Sequence, residues 1–112
     1  MTVHIVEDDP GVRDALSELC RSVGRSVKLY DTCKSFGAGD QVAGGDLVLV
    51  DLQLPDATGA EIVRRVRKRA SPARVVVISG LSQVEINQAM RGLDSVTVMR
   101  KPLSPEIIKI IL

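Results

Sequence analysis

Leu47-Val48-Leu49-Val50-Asp51, running on into Leu52-Gln53-Leu54-Pro55, is the stretch that decides how this chain folds. Four consecutive apolar residues are too few for a buried helix. They read instead as a strand covered on both faces, which is the mark of a central position in a parallel sheet. Asp51 is poor strand material, so an acid closing this run points to a strand end with a chemical task. Pro55 restricts the backbone of the loop Asp51–Thr58, and Gly59 permits a close approach or an unusual dihedral at its far side.

Working outward, three further short runs end in the same way. Thr2–Val6 runs into Glu7-Asp8-Asp9, Arg74–Ile78 into Ser79, and a strand at about Ser95–Met99 into Arg100-Lys101-Pro102. A weaker strand is expected at Ser26–Tyr30. Helix-like segments separate the runs. Asp9 caps the first, with Pro10 at its first position and an apolar stripe of Val12, Ala15, Leu16, Leu19, Cys20 and Val23. Thr32–Phe36 makes a short second helix before Gly37, Gly39, Gly44 and Gly45 break regularity. A third carries Ala60, Ile62, Val63 and Val66 inward and stops near Ala70, and a fourth carries Ile86, Ala89, Met90 and Leu93. Ser104 and Pro105 open the last. Five strands and five helices in strict alternation call for an α/β parallel sheet with right-handed crossovers. The carboxyl ends of such strands line one edge, where ligands bind. Acids, an isolated carboxylate, a hydroxyl and an ammonium therefore converge there.

With 112 residues the chain has room for one domain, and at 45% hydrophobic it can build a core from aliphatic side chains, since only Tyr30 and Phe36 are aromatic. Fifteen basic and fourteen acidic residues leave +1, which argues against nucleic acid or an anionic membrane as the partner. Cys20 and Cys33 form no C-x-x-C pair, and a reduced cytosolic setting is expected. The chain opens on a strand-like run and holds no apolar stretch of membrane-spanning length, so neither a signal peptide nor a membrane span is expected.

Two or three carboxylates at one edge repel and resist joint ionisation, a conflict that a hard cation resolves. Mg²⁺ takes oxygen ligands and leaves room for a phosphoryl oxygen. Asp51 is then a candidate nucleophile, with Lys101 and the Ser79 hydroxyl placed to hold other oxygens. A cis Lys101–Pro102 bond would aim the lysine back across the strand ends. Taken singly, each feature has a plainer reading: a helix cap, a strand-ending turn. The coincidence of four strand ends outweighs them.

Val6-Glu7-Asp8-Asp9, Asp51-x-x-Leu54-Pro55-x-x-x-Gly59, Val77-Ile78-Ser79-Gly80 and Lys101-Pro102, in this order and spacing, resemble the receiver domain of two-component response regulators across essentially the whole chain. The resemblance implies a flavodoxin-like, three-layered, doubly wound sheet in the order 2-1-3-4-5. It implies a single domain over residues 1–112; the apolar excess of the last helix and its stop at Leu112 lead to the expectation that this helix is truncated, continues into an output segment, or is buried against a partner. It further implies a cytoplasmic signalling switch that catalyses only its own phosphoryl transfer and dephosphorylation. Asp51 would be phosphorylated by a sensor histidine kinase or phosphotransfer protein. Asp8 would bind Mg²⁺ directly and Glu7 through water, with Asp51 and the Gln53 backbone carbonyl completing the ligands, while Ser79 and Lys101 take phosphoryl oxygens. Arg13, five positions past Asp8 where the family commonly carries a basic residue, selects Glu7 and Asp8 as the acid pair. The opening Val3–Asp9 is most similar to the nitrogen-fixation subgroup, whose members often carry a helix-turn-helix output. Dimerisation, or contact with an output domain, would use the fourth helix, fifth strand and fifth helix; no direct nucleic-acid or membrane contact is implied.

Val98 departs from the pattern, because many family members place an aromatic switch residue there, three before the lysine. Gln53 and Leu81 stand where the family tunes dephosphorylation. A receiver-like interaction module that is never phosphorylated is the alternative. An aspartyl phosphohydrolase would want a second acid where Gln53 stands.

Three other features have structural readings. Arg64-Arg65-x-Arg67-Lys68-Arg69 reads as a solvated helix face. His4 reads as a packed, hydrogen-bonded strand residue. Ile107, Ile108, Ile110, Ile111 and Leu112 exceed what one buried stripe needs, and an exposed apolar face on the last helix is expected.

Overall fold

Alternation of side chains along each strand sorts the apolar residues onto two faces. The computed structural model describes residues 1–69 and 71–112. Its elements are β1 (Thr2–Val6), α1 (Pro10–Ser22), β2 (Ser26–Tyr30), α2 (Cys33–Phe36), β3 (Leu47–Asp51), α3 (Ala60–Arg67), β4 (Arg74–Ser79), α4 (Gln83–Ala89), β5 (Thr97–Arg100) and α5 (Pro105–Ile111). The strands form one parallel sheet in the order β2-β1-β3-β4-β5. Leu47 and Leu49 join Val3, Ile5, Val76 and Ile78 under α1 and α5. Val48 and Val50 join Val6 and Val77 under α2, α3 and α4. Every residue of β3 is buried, as its unbroken apolar run requires.

The strand ends hold their helices by local capping. Asp9 Oδ1 accepts from the amides of Gly11 (2.8 Å) and Val12 (3.2 Å), so Asp9 is the cap of α1 and leaves Glu7 and Asp8 free for other work. A four-residue helix has little stability of its own. Accordingly, α2 is held from outside: Thr32 and Ser35 cap it reciprocally, Asp56 accepts from the Cys33 and Lys34 amides, and Arg65 reaches the Cys33 and Gly37 carbonyls.

The remaining boundaries differ in small ways from those expected. The fifth strand starts at Thr97 and not at Ser95, because Ser95 has φ 58° and cannot continue an extended ladder. Ser104 occupies the cap position of α5, but its hydroxyl donates to Glu106 instead of capping the helix amides. Leu93 lies past the end of α4, in a turn closed by its amide on the Met90 carbonyl, and still packs on the core. Ala70, where the third helix was expected to stop, lies outside the described residues. His4 is fully buried: its Nε2 meets Asp46 Oδ2 at 2.9 Å and its Nδ1 meets the Tyr30 hydroxyl at 3.0 Å, as a packed strand histidine requires. Asp46 only accepts, which places the ring proton on Nε2 and leaves Nδ1 to take the tyrosine proton.

Candidate functional site

Four strands of the parallel sheet deliver their last residues to one edge. Glu7 follows β1, Asp51 ends β3, Ser79 ends β4, and Lys101 follows β5. Lys101 Nζ lies 2.6 Å from Asp51 Oδ2 and 2.9 Å from Glu7 Oε1, joining groups 50 and 94 positions away in sequence. Glu7 is fully buried, Asp51 is 3% exposed, and Lys101 is the partly open member. Ligand oxygens of Glu7, Asp8 and Asp51 all lie within 4.8 Å of one another, with Asp8 exposed at the rim. The Ser79 hydroxyl is buried, accepts from the Leu81 amide at 3.0 Å, and keeps its own proton available. The Lys101–Pro102 bond is cis, as expected.

Burial pushes the Glu7 carboxyl up to about 8, helped by Asp51 beside it and opposed by Lys101. Burial also pushes Asp51 up, but Glu7, Lys101 and the Gln53 amide outweigh it, so this carboxyl lies below the usual aspartate range. For Lys101, burial works against the charge and is outweighed by the two carboxylates, which raises its pKa. Asp51 is thus the ionised nucleophile candidate, whereas burial favours the protonated form of Glu7. Glu7 Oε2 is buried and has no hydrogen-bond partner among the described residues. An orphan oxygen beside two more carboxylates suits a small hard cation.

The backbone around Asp51 is fixed by close packing. The Gly59 amide donates to the Leu52 carbonyl at 3.0 Å, and a Cβ on Gly59 would fall 2.1 Å from the Asp51 carbonyl oxygen. Gly59 has an ordinary helical φ of −60°, so glycine is needed here for approach and not for a left-handed turn. Arg13, which served only to select the acid pair, makes a contact of its own: its guanidinium donates to the Glu7 carbonyl at 3.1 Å and steadies the acidic turn. Asp56 ties the loop after Asp51 to α2, with both bonds at 2.9 Å. Those amides, Cys33 first, hold its carboxyl below the usual range. Nothing in the local sequence marks that contact, because its partners lie 23 and 22 positions away.

The basic stretch divides among partners. Arg64 and Arg65 approach Glu61, Arg65 also holds α2, Arg67 reaches the Asp94 carbonyl, and Arg69 pairs with Asp40. Among the described residues no helix is long and apolar enough to cross a membrane.

Comparison with known proteins agrees with this geometry. The model of the response regulator receiver domain family matches residues 3–112. The transcriptional regulatory protein FixJ of Bradyrhizobium diazoefficiens is 25% identical over 104 residues, which cover 93% of this chain and 51% of that protein. The tetrathionate response regulatory protein TtrR of Salmonella typhimurium is 30% identical over 105 residues, 92% of this chain and 50% of that one. The chain therefore spans about half the length of the curated relatives it matches. Among solved structures, the BeF3-activated DrrB receiver domain superposes with a TM-score of 0.80 at 27% identity, covering 96% of this chain and 92% of that one. Chemotaxis response regulator CheY4 of Vibrio cholerae superposes with a TM-score of 0.82 at 22% identity, covering 98% and 93%, and shares the fold. With the family matched over nearly every residue and the strand order that its fold requires, this chain belongs to the response regulator receiver domains.

Proposed function

We propose that this receiver domain is switched by phosphorylation of Asp51. The observation that carries the reading is the contact of Lys101 with both Asp51 and Glu7, which gathers the candidate nucleophile, one of the acid pair and a phosphate-binding ammonium at one sheet edge. An Asp51 carboxylate oxygen forms a bond to phosphorus as the P–N bond to a donor imidazole breaks, and the bonding pair leaves on nitrogen. Lys101 holds one phosphoryl oxygen as a point charge and the Ser79 hydroxyl donates to another. Asp8, Asp51 and the Gln53 backbone carbonyl would hold Mg²⁺ directly, with Glu7 reaching it through water. When bound, the ion offsets the charge on the phosphoryl oxygens. Hydrolysis of the acyl phosphate at the same site resets the switch.

A sensor histidine kinase or phosphotransfer protein supplies the phosphoryl group in this reading. Its readout is the face of α4, β5 and α5, where Val84, Ile107 and Ile110 are exposed. Dimerisation there, or contact with an output segment that controls transcription in the cytoplasm, completes the proposal.

The test is intact mass after incubation with acetyl phosphate and Mg²⁺, with Asp51→Asn and chelated controls. One added phosphoryl group that requires both Asp51 and the metal is expected. No adduct, under conditions that label another receiver, would overturn the reading in favour of an interaction module that works without phosphorylation.

A further inference from the structure

Leu81 is bonded on both sides of its residue, to Ser79 and to Arg100. Its amide donates to the Ser79 hydroxyl at 3.0 Å, and its carbonyl accepts from the Arg100 guanidinium at 3.0 Å. Arg100 stands opposite Ser79 in the β4–β5 ladder, and its other terminal nitrogen approaches Gln83 Oε1 of α4 at 3.4 Å. Met99 packs under α1 and α5 and Val98 under α4, so alternation puts Arg100 on the same face as Val98, two residues nearer the site. Val98 has no polar atom with which to follow a moving loop. Arg100 has, and it is exposed, so the link ends at the surface.

A charged donor on a carbonyl makes a stronger bond than a neutral one, and the fork of Arg100 spans the loop and α4 together. The Ser79 hydroxyl can accept and donate at once, but only where its oxygen stands. If the side chain rotates to carry that oxygen to a phosphoryl group on Asp51, the Leu81 amide loses its acceptor. Gly80 between them allows the backbone to follow, since nothing but the Lys101 side chain, at 3.9 Å, lies near its α-carbon's open position.

We propose that Arg100 is the positioning residue that couples Ser79 to the α4–β5 face through Leu81. In the unphosphorylated chain it pins the loop from Gly80 to Ser82, and phosphorylation releases it. The proposal rests on the reading of Asp51 as phosphoacceptor.

Hydrogen exchange over residues 80–90 of the full chain, with and without acetyl phosphate and Mg²⁺, tests it, with intact mass recording the label on Asp51 in every sample. The native chain is expected to exchange several-fold faster there once labelled, below the roughly ten- to hundredfold ceiling that one charge-assisted bond sets. Arg100→Ala is expected to exchange at that faster rate before labelling and to change little afterwards. Arg100→Lys, which keeps the charge and loses the fork, falls between, and tests the link should the alanine variant be poorly folded. A labelled Arg100→Ala chain showing the same basal exchange and the same response as the native chain overturns the coupling alone. A native chain that takes no label overturns the phosphoacceptor reading and, with it, the coupling.

Discussion

Adding one methyl group at Gly59 should disable the site from behind. The built Cβ lies 2.1 Å from the Asp51 carbonyl oxygen, 2.9 Å from its carbonyl carbon and 3.0 Å from Val50 Cγ2. To reach even 3.0 Å from that oxygen, the two backbones must separate by about 0.9 Å, and neither side yields easily. Asp51 ends the fully buried β3, while Gly59 is pinned by its bond to Leu52 and begins α3, whose apolar face is buried. Overpacking of this kind costs about 1–3 kcal/mol. Displacing a reacting carboxylate by that distance costs on the order of 10²-fold in rate. Gly59→Ala is therefore expected to lower the urea midpoint and to slow labelling by acetyl phosphate at saturating Mg²⁺ about a hundredfold. Gly80→Ala, whose Cβ meets nothing closer than 3.9 Å, serves as the stability control. A Gly59→Ala chain that unfolds within about 0.5 kcal/mol of the native one, the range expected of an unremarkable surface change, would refute the steric account. Native labelling kinetics would refute the link from this approach to the placement of Asp51.

Three other expectations follow from contacts already described. The folded-state pKa of Glu7, about 8, lies above its ordinary 4.5, so the folded chain holds a proton that the unfolded chain releases between these values. Without divalent cations, stability should fall as pH rises through that window, by at most about 1.4 kcal/mol per pH unit. Glu7→Gln should flatten the slope in urea titrations. Asp51, shifted down, and Lys101, shifted up, change stability outside that window. His4→Phe keeps the ring's bulk but strips the Tyr30 hydroxyl and Asp46 of a buried partner, which should cost about 1–3 kcal/mol in chemical denaturation. Arg65→Ala should lose about 1 kcal/mol by removing the donor shared by the Cys33 and Gly37 carbonyls, the first of which keeps the Gly37 amide, whereas Arg64→Ala, with only a 3.8 Å approach to Glu61, should stay within about 0.5 kcal/mol. Equal effects would mean that the stretch acts as one undivided charged face.

What the local pattern can announce is a strand and the residue that closes it. Glu7, Asp51, Ser79 and Lys101 were each legible because short apolar runs stop at them or, for Lys101, one residue before, and the alternation of strands with helices then forces their ends to one edge. Asp9 was legible as a cap because its partners are two and three residues away. The start of β5 was not, since a positive φ at Ser95 leaves no mark in the pattern of apolar residues. Gly59 sits between: the glycine is conspicuous, but only the packed structure shows that the approach is to the backbone of Asp51 itself.

The contacts of the arginines were hidden for a different physical reason. Their main partners are carbonyls, and a carbonyl has no identity in the sequence. Among the described residues, Arg13, Arg25, Arg65, Arg67, Arg74 and Arg100 all donate to backbone oxygens, while Arg64, Arg65 and Arg69 approach carboxylates. Helix ends leave their last four carbonyls without intrahelical partners. In a chain whose α2, α4 and α5 have four, seven and seven residues, such oxygens are a large share of the helical backbone. A long side chain with a forked cation can satisfy them from a neighbouring element. The near balance of fifteen basic against fourteen acidic residues therefore does not mean that basic side chains are matched to acidic ones. Much of the positive charge ties elements together through the backbone. Among the described residues, the buried acids at the sheet edge, Glu7 and Asp51, pair with Lys101 and with no arginine side chain.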